Sequence, residues 1–152
     1  MQLENILNKT IIERFSRNNI EKKMKNNYFS KTNSINKSES TKEWPNHVIV
    51  LEVKNIDKFI KKFPFVIIDF WAPWCAPCKA MAPRLRRLAQ IFKGKIAIGK
   101  IDTQKNQDIN KKYKIQSIPQ LILFKNGKKV HIINGLKSVG YIKNIIENEL
   151  TK

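Results

Sequence analysis

The chain has 152 residues, two of them Cys, and carries 30 Lys and Arg against 12 Asp and Glu. That length holds one ordinary domain with something added, and two thiols are too few for a secreted disulfide scaffold, so a reducing compartment, the cytoplasm, is expected. No run approaches the roughly 18 to 20 apolar residues of a membrane span, and Glu4, Asn5, Asn8 and Glu13 break up residues 1–15 where a secretory leader keeps an apolar core.

Residues 1–47 stand apart from the rest. Leu3, Ile6, Leu7 and Ile11, with Phe15 four residues on, fall at helical spacing and predict a weak amphipathic helix continuing past Ile20 and Met24. Residues 26–46 are rich in Asn, Ser, Lys and Thr without apolar periodicity. Such a stretch buries too little surface to offset the entropy of ordering and reads as a disordered linker. An organelle-import role fits poorly, because import peptides are acid-poor and Glu4, Glu13 and Glu21 are present. A flexible tether is the reading adopted for residues 1–47.

Residues 48–152 read as one domain. Val48–Val53 predicts a strand, and Ile56, Phe59, Ile60 and Phe63 predict a short helix that ends before Pro64. Phe65–Trp71 is a nearly unbroken apolar run of strand length, suited to a strand buried on both faces. A helix follows over about 75–92, with Met81, Leu85, Leu88 and Phe92 inward and Arg84, Arg86 and Arg87 outward. Pro83 lacks the N–H to bond back, so a kink is expected there. Lys95–Ile101 predicts a further strand, and Ile109 with Tyr113 a short helix.

Leu121–Phe124 and Val130–Ile133 flank Asn126-Gly127, the strongest short hairpin signal, since a I′ turn needs positive φ at both central residues. Val139, Ile142, Ile145, Ile146 and Leu150 predict a last helix. The order β-α-β-α-β-α-β-β-α gives an α/β fold: a mixed five-stranded sheet, three parallel strands plus an antiparallel hairpin, flanked by helices on both faces.

Charge is uneven. Residues 1–47 hold nine Lys/Arg and five Asp/Glu, net +4, whereas residues 48–152 hold twenty-one against seven, net +14. Such a field attracts acidic proteins, anionic lipid or nucleic acid, and fades with salt. The same charges also serve simply to solvate exposed faces. With no Gly-rich phosphate loop, zinc finger or regular aromatic-basic interleaving, no specific nucleic-acid partner is expected.

The chemistry concentrates in Asp69-Phe70-Trp71-Ala72-Pro73-Trp74-Cys75-Ala76-Pro77-Cys78-Lys79. Here a buried strand gives way to a helix, which places Cys75 among unsatisfied backbone N–H groups at the positive end of the helix dipole and favours a thiolate. Three-residue spacing keeps Cys78 on the same helical face within disulfide reach, and Pro77 is tolerated because the first turn does not need its N–H. Two Cys supply only half of a tetrahedral zinc set, and His47 and His131 stand alone, so no metal is expected. Asp69 is an odd insertion in so apolar a run, because a buried carboxylate is costly and its pKa tends to rise.

The stretch from Val66 to Leu150 resembles the thioredoxin family. The resemblance rests on Trp74-Cys75-Ala76-Pro77-Cys78-Lys79, the preceding Asp69-Phe70-Trp71-Ala72, Ile118-Pro119, Phe124-Lys125-Asn126-Gly127 and Gly135. Val48–Pro64 fits the family's first strand and helix, and the whole, Lys-rich extension included, is most similar to members of archaeal type. The resemblance implies a thioredoxin fold and a thiol-disulfide oxidoreductase that reduces protein disulfides in the service of redox homeostasis. In that reading Cys75 attacks and Cys78 resolves, no cofactor is needed, the chain is monomeric, and a flavin- or ferredoxin-dependent thioredoxin reductase supplies the electrons.

By the same resemblance Asp69 assists proton transfer at Cys78, with Lys100 nearby. Pro119 is cis, and Trp74, Ala76, Pro77, Ile118, Pro119 and Gly135 meet the substrate. The family's attacking cysteine has its pKa lowered by about 1.5. That raises the thiolate fraction roughly fifteenfold at pH 7, of which roughly fivefold returns as weaker nucleophilicity. Positioning of the target disulfide must therefore contribute more than activation does. Three positions depart from the family pattern: Ala76 for Gly between the cysteines, Gln120 for Thr after the proline, and Leu136 for a smaller residue after Gly135. The first bears on the redox potential and the other two on the substrate groove.

Overall fold

The computed structural model of the chain describes residues 43–152. The amphipathic helix expected near the start of the chain and nearly all of the linker lie outside the described residues. Five strands and four helices follow in the order β1 (Ile49–Leu51), α1 (Val53–Lys62), β2 (Phe65–Trp71), α2 (Ala76–Ile91), β3 (Ala97–Asp102), α3 (Gln107–Tyr113), β4 (Gln120–Lys125), β5 (Lys128–Asn134) and α4 (Val139–Thr151). The strands form one sheet, ordered β1-β3-β2-β4-β5. β1 and β2 both run parallel to β3, while β4 is antiparallel to β2 and to β5. This is the mixed sheet expected from the sequence.

The side chains of β2 explain why its apolar run shows no alternation. Successive residues point to opposite faces of a sheet, and both faces are covered. Phe65 and Ile67 pack with Met81, Leu85 and Leu88 of α2 and Ile142 and Ile146 of α4. Val66, Ile68 and Phe70 pack with Ile56, Phe59 and Ile60 of α1 and Ile109 of α3. By the same period, Asp69 belongs to the α2 face, the face on which the Cys pair enters its helix.

One local signal acts as anticipated: Asn126 and Gly127 have φ of 51° and 79° and turn β4 into β5. Ser138, not marked in the sequence reading, caps α4 by accepting the Tyr141 N–H at 3.1 Å. One boundary differs. Val53, expected in the first strand, is the first residue of α1. The Glu52 N–H is taken by the Asn55 side-chain oxygen at 2.9 Å, and the Glu52 carbonyl accepts from Asn55 and Ile56, so the chain is already committed to a helical turn and β1 shrinks to three residues. Upstream, Trp44 packs on Phe63 with ring centroids 5.1 Å apart, and the Asn46 carbonyl accepts from Gln90. The chain is therefore tied to the domain a few residues before position 48.

Candidate redox site

β2 delivers the site and α2 shapes it. The strand ends at Trp71, whose carbonyl accepts both the N–H and the hydroxyl of Thr103, at 2.9 and 3.1 Å. The chain then turns: Ala72 accepts the Cys75 N–H at 3.2 Å, and Cys75 becomes the N-cap of α2. Its sulfur accepts the backbone N–H of Cys78 at 3.2 Å, one of the donors that a helix start leaves without an intrahelical partner. The expected electropositive setting for the Cys75 sulfur is thus present as a named contact. Pro77 lies in the first turn, where no N–H is missed.

The two cysteines form a disulfide, with Cα atoms 5.3 Å apart and an S–S distance of 2.08 Å. Both residues are nearly closed to solvent, Cys75 at 3% and Cys78 at 2% exposure, and pack with Ala72, Trp71 and Ile118. Around them the surface changes character. Trp74 is 70% exposed, and Ala76 and Pro77 are exposed beside it. The Trp74 indole thus leaves an apolar ring in water next to the disulfide.

The opposite wall comes from two distant segments. The Ile118-Pro119 peptide is cis, Pro119 is buried and Ile118 half-buried. The Pro119 carbonyl accepts the Gly135 N–H at 2.8 Å, so Gly135, at φ 72°, is drawn against the proline at the start of β4. The structure therefore brings together all six residues expected at the substrate face on three converging segments, 74–77, 118–119 and 135.

Asp69 is 2% exposed, and its Oδ1 has no hydrogen-bond partner. Burial pushes its pKa from the usual carboxylate range up to about 7, against the partial opposition of the Lys100 ammonium. Lys100 is its Cα partner across the parallel β2-β3 pair and is half-buried. Its Nζ sits 4.9 Å from the centroid of the Trp71 ring instead of bonding the carboxylate.

Two contacts were beyond the sequence reading. Gln120, expected to bear on the substrate groove, is 3% exposed, and its carboxamide oxygen takes the Gln116 N–H at 3.5 Å, in the loop before Ile118. Arg84, expected outside, is half-buried and donates to the Lys137 carbonyl at 2.5 Å, tying α2 to the segment after Gly135. Leu136 next to it is 37% exposed. Only the family pattern could flag the Gln120 and Leu136 positions, and no sequence signal marks the Arg84 contact. Among the described residues no group of three or more His, Cys, Asp and Glu converges as a metal site would require.

Residues 47–148 match the family model described as Thioredoxin. The chain is 40% identical over 85 residues to Thioredoxin 1 of a Nostoc species, covering 56% of this chain and 79% of that one. It is 42% identical over 86 residues to the chloroplastic M-type thioredoxin of Spinacia oleracea, covering 57% and 48% respectively. Among solved structures, a mutant thioredoxin from Halobacterium salinarum superposes with a TM-score of 0.65 at 29% identity, covering 69% of this chain and 92% of that one. With its five-stranded sheet and a cysteine pair closed at the head of α2, the chain belongs to the thioredoxin family and is a thiol-disulfide oxidoreductase.

Proposed function

We propose that the protein works chiefly as a reductase of protein disulfides, with Cys75 as the attacking sulfur and Cys78 as the resolving one. The observation that carries this reading is the Cys78 N–H directed at the Cys75 sulfur, which stabilises negative charge on Cys75 in the reduced state and leaves Cys78 without an equivalent donor. The Cys75 thiolate attacks one sulfur of the target disulfide. A Cys75–substrate bond forms, the substrate S–S bond breaks, and the departing substrate sulfur takes up a proton. Cys78 then gives up its proton and attacks the Cys75 sulfur, closing the Cys75–Cys78 bond and releasing the second substrate thiolate. Once the released thiolate takes up a proton, the substrate has gained two electrons and two protons, one from Cys78 and one from solvent, and the protein is left oxidised.

Asp69 is suited to the proton step at Cys78. It lies on the α2 face of the sheet, with a pKa raised to about 7 by burial, so near neutrality it both holds and releases a proton, as a general base does best. Lys100 acts on Asp69 rather than on sulfur, since its charge favours the ionised form. The exposed Trp74, Ala76 and Pro77, with Ile118, Pro119 and Gly135 opposite, make the surface on which an extended substrate segment lies beside the cysteines. A thioredoxin reductase, flavin- or ferredoxin-dependent, returns the electrons. The chain acts as a monomer in the cytoplasm, with residues 1–47 as a tether to the domain at 48–152; among the described residues no helix is long and apolar enough to cross a membrane.

Reduction of a protein disulfide by the full chain, compared with Cys75→Ser and Cys78→Ser, tests this reading. Wild type should turn over with a chemical reductant, and each variant should lose multiple turnover. Turnover that survives in Cys75→Ser would overturn the assignment of the attacking sulfur.

A further inference from the structure

The chain contains 25 Lys and only five Arg, yet three of the five, Arg84, Arg86 and Arg87, fall within one turn of α2. General enrichment in basic residues accounts for the lysines and does not account for this cluster. Arg84 is used internally, on the Lys137 carbonyl. Arg86 and Arg87 are exposed, and neither takes part in any of the ion pairs among the described residues, which are Lys54–Glu52, Lys112–Asp57, Lys143–Glu147 and Lys152–Glu149. On a helix, Lys79 lies seven residues before Arg86, about 10 Å along the axis and within about 20° of it, and eight before Arg87, about 12 Å along and about 80° round. Lys79 is exposed too and directly follows Cys78.

The acidic residues are distributed to match. Residues 70–101 contain seven Lys/Arg and no Asp or Glu, and residues 109–146 contain eight Lys and no Asp or Glu. Every segment that frames the disulfide falls within these two stretches. The segments around the redox mouth therefore carry no carboxylate of their own; Asp102, the Cα partner of Trp71, has an oxygen that accepts the Gln104 and Lys105 N–H groups, and the arginines mark one direction away from the mouth.

We infer that the exposed side of α2, Lys79 with Arg86 and Arg87, is a docking surface for an acidic segment of the protein that exchanges disulfides at Cys75. Arginine in place of lysine suits this partner, because a guanidinium fork binds a carboxylate through two parallel hydrogen bonds. A protein whose disulfide reaches Cys75 lies over the head of α2, and a flank that follows the exposed side of the helix meets these residues. α2 carries no aromatic residue, so apart from Trp74 at its head the surface lacks the row of stacking platforms by which single-stranded nucleic acid is held. The inference rests on the exchange chemistry proposed above and adds to it the charge of the partner.

The test uses the reduced full chain and three disulfide-closed peptides that differ only in flanks of Glu, Gln or Lys. At low salt the Glu-flanked peptide should react about tenfold faster than the Gln-flanked one, the Lys-flanked peptide slowest, and the gap should close at high salt. Arg86→Glu/Arg87→Glu should abolish the Glu advantage while leaving the Gln-flanked rate unchanged, and Arg86→Lys/Arg87→Lys should retain only part of it. Equal rates for Glu and Gln flanks, or a Glu advantage that survives charge reversal, would overturn the inference. So would a single-stranded oligonucleotide that binds the wild type tightly through these arginines while the Glu flank brings no gain. Binding of a Glu-flanked peptide with Ser at both Cys positions, followed by Trp74 fluorescence, separates docking from chemistry. If that peptide binds in an arginine-dependent way and no peptide is reduced, the exchange mechanism fails and the docking surface stands.

Discussion

Asp69 and Lys100 are Cα partners on adjacent parallel strands, yet the lysine ammonium rests over the Trp71 indole, 4.9 Å from its centroid, and Asp69 Oδ1 makes no hydrogen bond. The carboxyl group is thus buried beside a positive charge that moderates its isolation without ending it. Desolvation outweighs attraction, which is why the shift is upward. A buried carboxyl oxygen without a hydrogen bond works against stability, and by the strand's period this one lies on the α2 face of the sheet.

The first prediction concerns stability against pH. Between the ordinary value of 3.8 and about 7, the folded state keeps a proton on Asp69 that the unfolded state has released. The oxidised protein should therefore lose stability as pH rises through that window and level off above it, a contribution of as much as about 4 kcal/mol. Asp69→Asn should lack this contribution and be the more stable protein at pH 8. Urea unfolding at pH 5, 6, 7 and 8 checks it, and parallel curves for the two proteins would contradict the burial argument.

Lys100 opposes the rise, so Lys100→Gln should move the Asp69 midpoint further upward. The carboxyl carbon chemical shift followed by NMR reports it directly. An unchanged or lower midpoint would mean that the lysine charge does not reach the carboxylate.

The division of labour between the sulfurs predicts unequal variants. Cys78→Ser should accumulate a covalent complex with substrate through Cys75, visible on a non-reducing gel and in the intact mass, and Cys75→Ser should accumulate none. Equal trapping by both would mean that the N-cap position gives Cys75 no advantage.

Much of this was legible in the sequence because it is local. An apolar run of strand length, a Pro-terminated helix and the Asn126-Gly127 turn each act through near neighbours, and each appears where expected. Asp69 stood out because a carboxylate in that run is chemically anomalous. What failed to show was one local competition and several tertiary contacts. Val53 belongs to a helix because Asn55 reaches back to cap it, a competition between two local structures that apolar alternation does not register. Arg84 meets a carbonyl 53 residues away, and Gln120 is polar yet faces inward, so patterning alone places both on the surface. The meeting of Pro119 with Gly135 came from family resemblance, since no spacing rule joins them.

Close packing of β1 on the sheet supplies a further prediction. A Cβ added at Gly99 would lie 2.4 Å from Leu51 Cδ1 and 3.3 Å from Ile68 Cδ1, and Leu51 and Ile68 are both buried. Gly99→Ala should cost about 1–3 kcal/mol through overpacking, measured by thermal or denaturant unfolding. A neutral result would show that the three-residue strand β1 moves aside freely.

The most direct measurement is the second-order rate at which the freshly reduced full chain attacks a protein disulfide at pH 7, set beside a simple monothiol at equal concentration and beside Cys75→Ser. A sulfur held at a helix N-terminus, with a partner three residues on and an apolar rim to seat the target, should exceed the monothiol by at least about a hundredfold, with Cys75→Ser falling to the background. A wild-type rate no greater than that of the monothiol would contradict the account.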